Sequence, residues 1–315
     1  MRDISNLYNA IGKTPMIKIN FIFKGKKKSA FFKAEWYNLT GSIKDRVALN
    51  IIEEGIEKSL LKSEQEIVEV TSGNMGISLS AIGSYLGHKV TIFMPKFMSE
   101  ERKKILKLYG ANLIETESFE EAFELSEKYA KENDCFIAHQ FENISNYNAH
   151  RKSTALEICE QTNGNVSGFI AGVGTSGTLS GVGSLLKEKF GTKIIALEPK
   201  SSLILSSGKS QGNHKLQGLS DNIIPKLYNQ DLVDGIIAVS DEDAIAMAQK
   251  LSKELGLGVG ISSGANFIGA VLTGIDNIVS VFADDNKKYL STDLAIPINT
   301  ELVDKIKLIN FEIIK

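Results

Sequence analysis

Four short segments place glycine, hydroxyl and amide side chains where a strand hands over to a helix, the position at which free helix N–H groups meet an anion. The first is Asn38-Leu39-Thr40-Gly41-Ser42-Ile43-Lys44-Asp45-Arg46. Lys44 stands just inside a helix start, where the positive end of the helix dipole disfavours its cation. An amine so placed suits Schiff-base chemistry. A lysine between charged neighbours is equally an ordinary solvated residue, so this segment decides nothing alone. The second, Thr71-Ser72-Gly73-Asn74-Met75-Gly76, follows a β-branched run ending at Val70. Its successive N–H groups and hydroxyls suit a carboxylate. A plain strand-to-helix turn capped by Ser72 or Asn74 accounts for it as well.

The third segment, Gly172-Val173-Gly174-Thr175-Ser176-Gly177-Thr178, has the composition of a phosphate cradle. Its glycines admit close backbone approach and its hydroxyls add donors. No Gly-Lys-Ser/Thr follows, so it is not a P-loop, and its mid-chain position argues against a dinucleotide fingerprint. A single phosphate is the economical ligand. The fourth, Gly260-Ile261-Ser262-Ser263-Gly264-Ala265, taken alone reads as serine capping of a helix.

The elements that must position these segments follow from periodicity. Short β-branched runs at Ile67 to Val70, Val90 to Met94, Asn112 to Glu115, Phe169 to Ala171, Ile194 to Leu197 and Ile278 to Phe282 predict strands. Between them, Leu79, Ile82 and Leu86 share one helical face. A second helix is predicted from the N-cap Ser99, with Glu100 and Glu101 in its first turn, to a stop at Gly110. Such alternation predicts an α/β fold of mainly parallel sheets with helices on both faces. Ile17 to Phe23 and Ala30 to Ala34 predict a hairpin, with Lys26-Lys27-Lys28 as its solvated turn.

The bulk composition excludes several classes. In 315 residues, 43% hydrophobic and 23% charged with a formal net charge of −2, there is no electrostatic drive toward nucleic acid or an anionic membrane. No apolar run is long enough to span a bilayer, and residues 1–6 lack the apolar core of a signal peptide, so a cytoplasmic location is expected. Cys135 and Cys159 form no Cys-x-x-Cys pair, and Cys135, within an apolar stretch, is expected to be buried. His88, His139, His150 and His214 show no metal-ligand spacing, and no metal is expected.

Taken in order, the four segments and several further motifs resemble the cysteine synthase and cystathionine β-synthase family of fold type II pyridoxal-phosphate enzymes. The likeness runs nearly end to end. It includes Ile11-Gly12-Lys13-Thr14-Pro15, Met94-Pro95 followed by Met98-Ser99, Gln140-Phe141-Glu142-Asn143 and His150-Arg151-Lys152. It continues through His214-Lys215-Leu216-Gln217-Gly218 and Tyr289-Leu290-Ser291-Thr292. The resemblance implies pyridoxal 5′-phosphate between two α/β lobes built on open, twisted, mainly parallel sheets. A smaller lobe of residues 43–146 would be inserted in a larger one of 1–42 plus 147–315. It also implies a homodimer and a small amino-acid substrate.

By the same resemblance Lys44 would carry the cofactor covalently and later move the α-proton. Gly174, Thr175, Ser176, Gly177 and Thr178 would hold its phosphate, and Asn74 its 3′-oxygen. Thr71, Ser72 and Gln140, with the loop residues Gly73 and Met75, would bind the substrate carboxylate. Ser262 would face the pyridine nitrogen. A neutral serine leaves that nitrogen largely unprotonated, which weakens the ring as an electron sink and favours prompt loss of a β-substituent over a long-lived carbanion. The expected chemistry is β-replacement through an aminoacrylate.

Three positions depart from the family pattern. Leu39-Thr40 replaces a Pro-Gly pair, and Met75 replaces a threonine, exchanging a hydroxyl donor for a flexible apolar chain. The run Leu219-Ser220-Asp221-Asn222 replaces a glycine-rich loop and brings in a carboxylate. Asp221 would repel a hydrosulfide anion yet serve as a general base toward water or a thiol; it is also placed to be an exposed turn residue. The departures favour L-cysteine as first substrate, with sulfide expelled and water or a second thiol added to give serine or lanthionine. Cysteine synthesis from O-acetyl-L-serine and sulfide is the alternative. Serine or threonine dehydratase comes behind it, and a silent binding subunit on the same fold is the non-enzyme reading.

Overall fold

The computed structural model describes residues 2–210, 214–219 and 223–315. It opens on a hairpin of β1 (Met16–Phe23) and β2 (Lys26–Ala34). The turn falls at Lys24 and Gly25, with φ of 50° and 73°, the paired positive values that suit the twist of a two-residue hairpin. Lys26-Lys27-Lys28 is therefore not the turn, as expected from sequence, but the first part of β2. Lys28 pairs there with Asp276 at 3.3 Å.

A four-stranded sheet follows, built from β3 (Ile67–Val70), β4 (Val90–Pro95), β5 (Asn112–Thr116) and β6 (Phe136–Ile137). Its order is β5-β4-β3-β6 and every pairing is parallel. Besides a separate two-residue ladder of Ser202–Leu203 with Lys209–Ser210, five strands, β7 (Gly168–Gly172), β8 (Lys193–Pro199), β9 (Gly235–Val239), β10 (Ile278–Phe282) and β11 (Ile306–Ile314), join the hairpin in a seven-stranded sheet. Its order is β9-β8-β7-β10-β2-β1-β11, parallel as far as β2 and antiparallel beyond it.

Both sheets are covered on two faces, and the strands show it by alternation. In β7, Ile170 enters one core while Phe169 and Ala171 enter the other. In β4, Ile92 and Met94 part from Phe93 in the same way. Buried on both sides, such strands are near-continuous apolar runs, which is why they were readable in the sequence. The helices are α1 (Lys44–Glu57), α2 (Asn74–Leu86), α3 (Glu100–Leu108) and α4 (Phe119–Glu132) around the smaller sheet. Around the larger run α5 (Ile144–Ala149), α6 (Ala155–Gln161), α7 (Gly177–Phe190), α8 (Asp241–Leu255) and α9 (Ile261–Thr273). Among the described residues no helix is long and apolar enough to cross a membrane.

Two local expectations need correction or detail. Cys135 is half-exposed, because it leads into β6 at the edge of the smaller sheet instead of entering its core. Ser99 does precede α3, but its hydroxyl does not cap the helix and instead donates to the Lys288 carbonyl at 2.9 Å. That bond ties α3 to the segment after β10.

Candidate active site

Lys44 is the first residue of α1, and the start of that helix is fastened from several sides. Ile43 N–H donates to Ala283 O at 2.9 Å, beyond the end of β10. Thr40 donates to Asp45 through its N–H at 2.7 Å and its hydroxyl at 2.5 Å. The Thr40 hydroxyl thus adds one bond to the first turn of α1 that a glycine could not make. Burial raises the Asp45 carboxyl, against the hydrogen bonds from Ser78 and Thr40 that favour its charge.

One turn deeper, Arg46 is gripped by two carboxylates. It reaches Glu35 at 2.7 and 3.0 Å and Glu157 at 2.6 and 2.8 Å, while Lys33 closes on Glu157 at 2.8 Å. Burial alone would raise the Glu157 carboxyl, but hydrogen bonds and charge from Arg46 and Lys33 hold it at about 2. This network joins α1, β2 and α6 beneath Lys44.

A cavity opens outside the carboxyl ends of β3 and β7. It is lined by Lys44, by Thr71, Ser72, Asn74 and Met75, by Gln140, by Gly174, Thr175, Ser176 and Thr178, and by Ser262. Open α/β sheets hold ligands at such places. Gly73 and Gly177 support the wall from behind. A Cβ on Gly73 would lie 2.2 Å from the Arg102 side chain, and its φ of 148° suits glycine alone. A Cβ on Gly177 would lie 1.9 Å from Asn146 Oδ1.

The segment of residues 172–178 leads from the end of β7 into α7. Ser176 sits in the left-handed region at φ 66° and precedes the helix without a side-chain cap, while the Gly177 N–H makes a long 3.4 Å bond to Thr175 Oγ1. Thr175 Oγ1 accepts from buried Asn146 at 2.8 Å. Thr178 Oγ1 lies 3.2 Å from Nε2 of His150, whose Nδ1 lies 3.1 Å from Thr154 Oγ1. His150 opens a π-helical turn and is fully buried. Burial, with the charges of Lys44 and Arg46, holds its pKa well below the ordinary value, so the ring is neutral.

On the opposite wall Gln140 is fixed by its own backbone. Its N–H donates to Glu69 at 3.1 Å and its Nε2 to Val70 O at 2.9 Å. Burial pushes the Glu69 carboxyl up to about 8 despite bonds from Gln140 and Val70 and the nearby Lys44 charge. Met75 is fully buried in the core of the smaller sheet while also facing the cavity, so packing and pocket shape are both served by one side chain. Ser262 lies in the first turn of α9. That turn is held by Ser263, which accepts from Ala283 N at 3.0 Å, and by Asn266, which bonds Gly172 N and Val281 O at 2.9 and 2.8 Å.

Sequence reasoning missed four buried charged residues around the cavity: Glu69, Arg102, Asp284 and Lys288. Arg102 is 1% exposed, lies over the Tyr289 ring at 4.6 Å, and contacts Gln217. A signal was present for Asp284, a carboxylate at the carboxyl end of the apolar strand β10; Arg102 and Lys288 read as ordinary members of charged runs. Asp221 lies outside the described residues. Among the described residues no cluster suits a metal ion.

The donor set fits pyridoxal 5′-phosphate. It offers an amine, an N–H-lined cradle where added Cβ atoms would collide, an amide and a neutral hydroxyl at one cavity. A model of the pyridoxal-phosphate dependent enzyme family matches residues 7–284. Cysteine synthase B of Campylobacter jejuni is 43% identical over 293 residues, covering 90% of this chain and 96% of its own. The hydrogen sulfide-producing enzyme of Fusobacterium nucleatum is 45% identical with a TM-score of 0.94, each chain covered to 98%. A hydrogen sulfide-producing enzyme in an aspartate-to-asparagine variant, holding an α-aminoacrylate intermediate, reaches a TM-score of 0.95 at the same identity and coverage. The cradle, the lysine and the end-to-end likeness converge: the chain belongs to the pyridoxal-phosphate-dependent enzymes of fold type II, as a β-replacement enzyme akin to the cysteine synthases.

Proposed function

We propose that the enzyme takes L-cysteine as first substrate, releases hydrogen sulfide, and adds water or a second thiol to the β-carbon, giving L-serine or lanthionine. The observation that carries this reading is likeness over 98% of both chains to hydrogen sulfide-producing enzymes, joined to a buried Met75 where a hydroxyl is usual. Pyridoxal 5′-phosphate supplies the electron sink that lets a proton leave the α-carbon and a substituent leave the β-carbon. Lys44 Nζ holds the cofactor and then carries the α-proton. Gly174, Thr175, Ser176, Gly177 and Thr178 receive its phosphate at the start of α7. Asn74 donates to its 3′-oxygen, and Ser262 meets its ring nitrogen without charge.

Thr71, Ser72 and the Gln140 amide grip the substrate carboxylate, with Gly73 and Met75 shaping that loop. The second Nε2 hydrogen of Gln140 is the one available, since the first is given to Val70. Asp221 takes the proton from the incoming water or thiol, and the aspartate variant that holds an intermediate in a similar enzyme supports an aspartate-dependent step. Residues 43–146 form a smaller lobe inserted in the larger one of residues 1–42 plus 147–315, and the assembly is a homodimer.

The second reading is cysteine synthase, favoured by the name and 43% identity of the Campylobacter jejuni relative. One experiment separates the two. The holoenzyme is given L-cysteine, or O-acetyl-L-serine plus sulfide, and sulfide and amino-acid products are measured. Sustained sulfide release with serine or lanthionine is expected. Fast sulfide uptake with little turnover of cysteine overturns the proposal in favour of the synthase.

A further inference from the structure

The Asn74 amide is held at both ends by groups that leave it a single way to face a ligand. Nδ2 donates to Asp284 Oδ2 at 2.8 Å, and Oδ1 accepts from Lys288 Nζ at 3.1 Å. A carboxylate only accepts and an ammonium only donates, so the amide orientation is fixed by its neighbours. With Oδ1 occupied and one N–H committed, what Asn74 turns to the cavity is its second N–H.

The two anchors are themselves built in. Asp284 is fully buried, and its Oδ2 also accepts from the Tyr289 hydroxyl at 2.8 Å, with the Arg102 guanidinium 4.0 Å away. Its other oxygen packs where a Cβ on Gly260 would lie 2.0 Å away, so position 260 must be glycine for the carboxylate to reach Asn74. Gly260 N–H donates to the Asp284 carbonyl at 3.1 Å, which fixes the backbone of the same residue. Lys288 gives a further bond to Gly41 O at 3.1 Å, in the loop leading to Lys44. The charges near Lys288 are Asp284, Asp45, Asp285 and Arg102. None of these side chains belongs to the lysine, the cradle or the carboxylate loop.

We propose that Asp284 and Lys288 are positioning residues that lock Asn74 as a pure hydrogen-bond donor, so that the site receives the cofactor's ring oxygen in its anionic form. An amide free to turn would offer its carbonyl as readily and would tolerate the protonated oxygen. The locked amide favours the anion, because its N–H makes a stronger, charge-assisted bond to an anionic oxygen than to a hydroxyl, which accepts more weakly and must place its own hydrogen elsewhere. The inference rests on the reading that Asn74 touches the cofactor.

The test is a pH titration of the visible absorption of bound pyridoxal 5′-phosphate, with its dissociation constant and the melting of the cofactor-free protein measured alongside. Asn74→Ala, Lys288→Met and Lys288→Arg are compared with the wild type. Both Asn74→Ala and Lys288→Met are expected to move the absorption midpoint toward higher pH and to weaken cofactor binding about tenfold, the loss of one hydrogen bond to a charged group. Lys288→Arg, which keeps a donor to Oδ1, should restore most of both. If Lys288→Met does not fold without cofactor, Lys288→Ala, which likewise removes the donor to Oδ1, takes its place and the same comparison decides. A shift in Asn74→Ala with none in the Lys288 variant overturns the locking role alone. No shift in Asn74→Ala overturns the underlying contact. A melting change without a spectral one reduces Lys288 to a structural residue and also refutes the proposal.

Discussion

The carboxylate beneath Lys44 sets a pH dependence that can be worked out in advance. Glu157 is 16% exposed at its side chain and receives Arg46 twice, Lys33 once, and the N–H groups of Lys13 and Thr14 at 2.9 and 3.2 Å. Its folded pKa of about 2 lies below the ordinary 4.5. At about 1.4 kcal/mol per pH unit, the charged form contributes about 3 kcal/mol to stability. Because the folded value is depressed, that stability is present above pH 4.5 and is lost as pH falls toward 2. Glu157→Gln keeps the shape and removes the charge. Urea unfolding at pH 7 should show a deficit of about 3 kcal/mol, shrinking to less than half by pH 3 as the wild type loses its own advantage. A deficit unchanged between pH 7 and pH 3 would show that the charge of Glu157 is not its source, and the argument for the network under Lys44 would fail.

Other predictions concern the cavity directly. Gly177→Ala forces buried Asn146 off its bonds to Gln140 O and Thr175 Oγ1, costing about 2–4 kcal/mol by lost bonds and overpacking; melting and cofactor retention by dialysis should both fall. Ser262→Asp places a carboxylate at the ring nitrogen and should shift the visible absorption of the bound cofactor while raising α-proton exchange in deuterated water relative to replacement; an unchanged spectrum would remove Ser262 from that contact. Asp221→Asn should leave sulfide release in a first turnover intact and slow nucleophile addition in rapid-mixing kinetics, and addition at the wild-type rate would exclude it as the base.

The fold was legible wherever burial on two faces turned a strand into an apolar run. Ile67–Val70 and Ile278–Phe282 were bounded as found, and β4, β5, β7 and β8 were located to within a residue or two at their ends. Of the edge strands, β5 was found but β6, β9 and β11 were not. β11 alternates exposed and half-buried residues, and β9 is only partly covered, so neither stands out as a strand without knowing its partner. The loop segments of the cavity were readable because close approach and anion binding demand particular residue types in a row. The buried ions were not, since a lysine inside Asn286-Lys287-Lys288 or an arginine inside Glu100-Glu101-Arg102-Lys103 carries no local mark of burial. What hides Lys288 and Arg102 from solvent is the segment between β10 and β11 meeting α3, a contact between residues nearly two hundred positions apart.

His150 also has a consequence for where a single hydrogen resides. A neutral imidazole carries a hydrogen on one nitrogen and a lone pair on the other, and here each nitrogen faces a threonine hydroxyl that can give or take. Alone, the row Thr154–His150–Thr178 has two polarities of equal standing. If, as proposed, Thr178 gives its hydrogen to an anion in the cradle, Nε2 must be the ring donor and Nδ1 must accept from Thr154. Filling the cradle therefore writes one tautomer onto a ring that never touches the ligand, and nitrogen magnetic resonance of that imidazole would report occupancy from inside the protein.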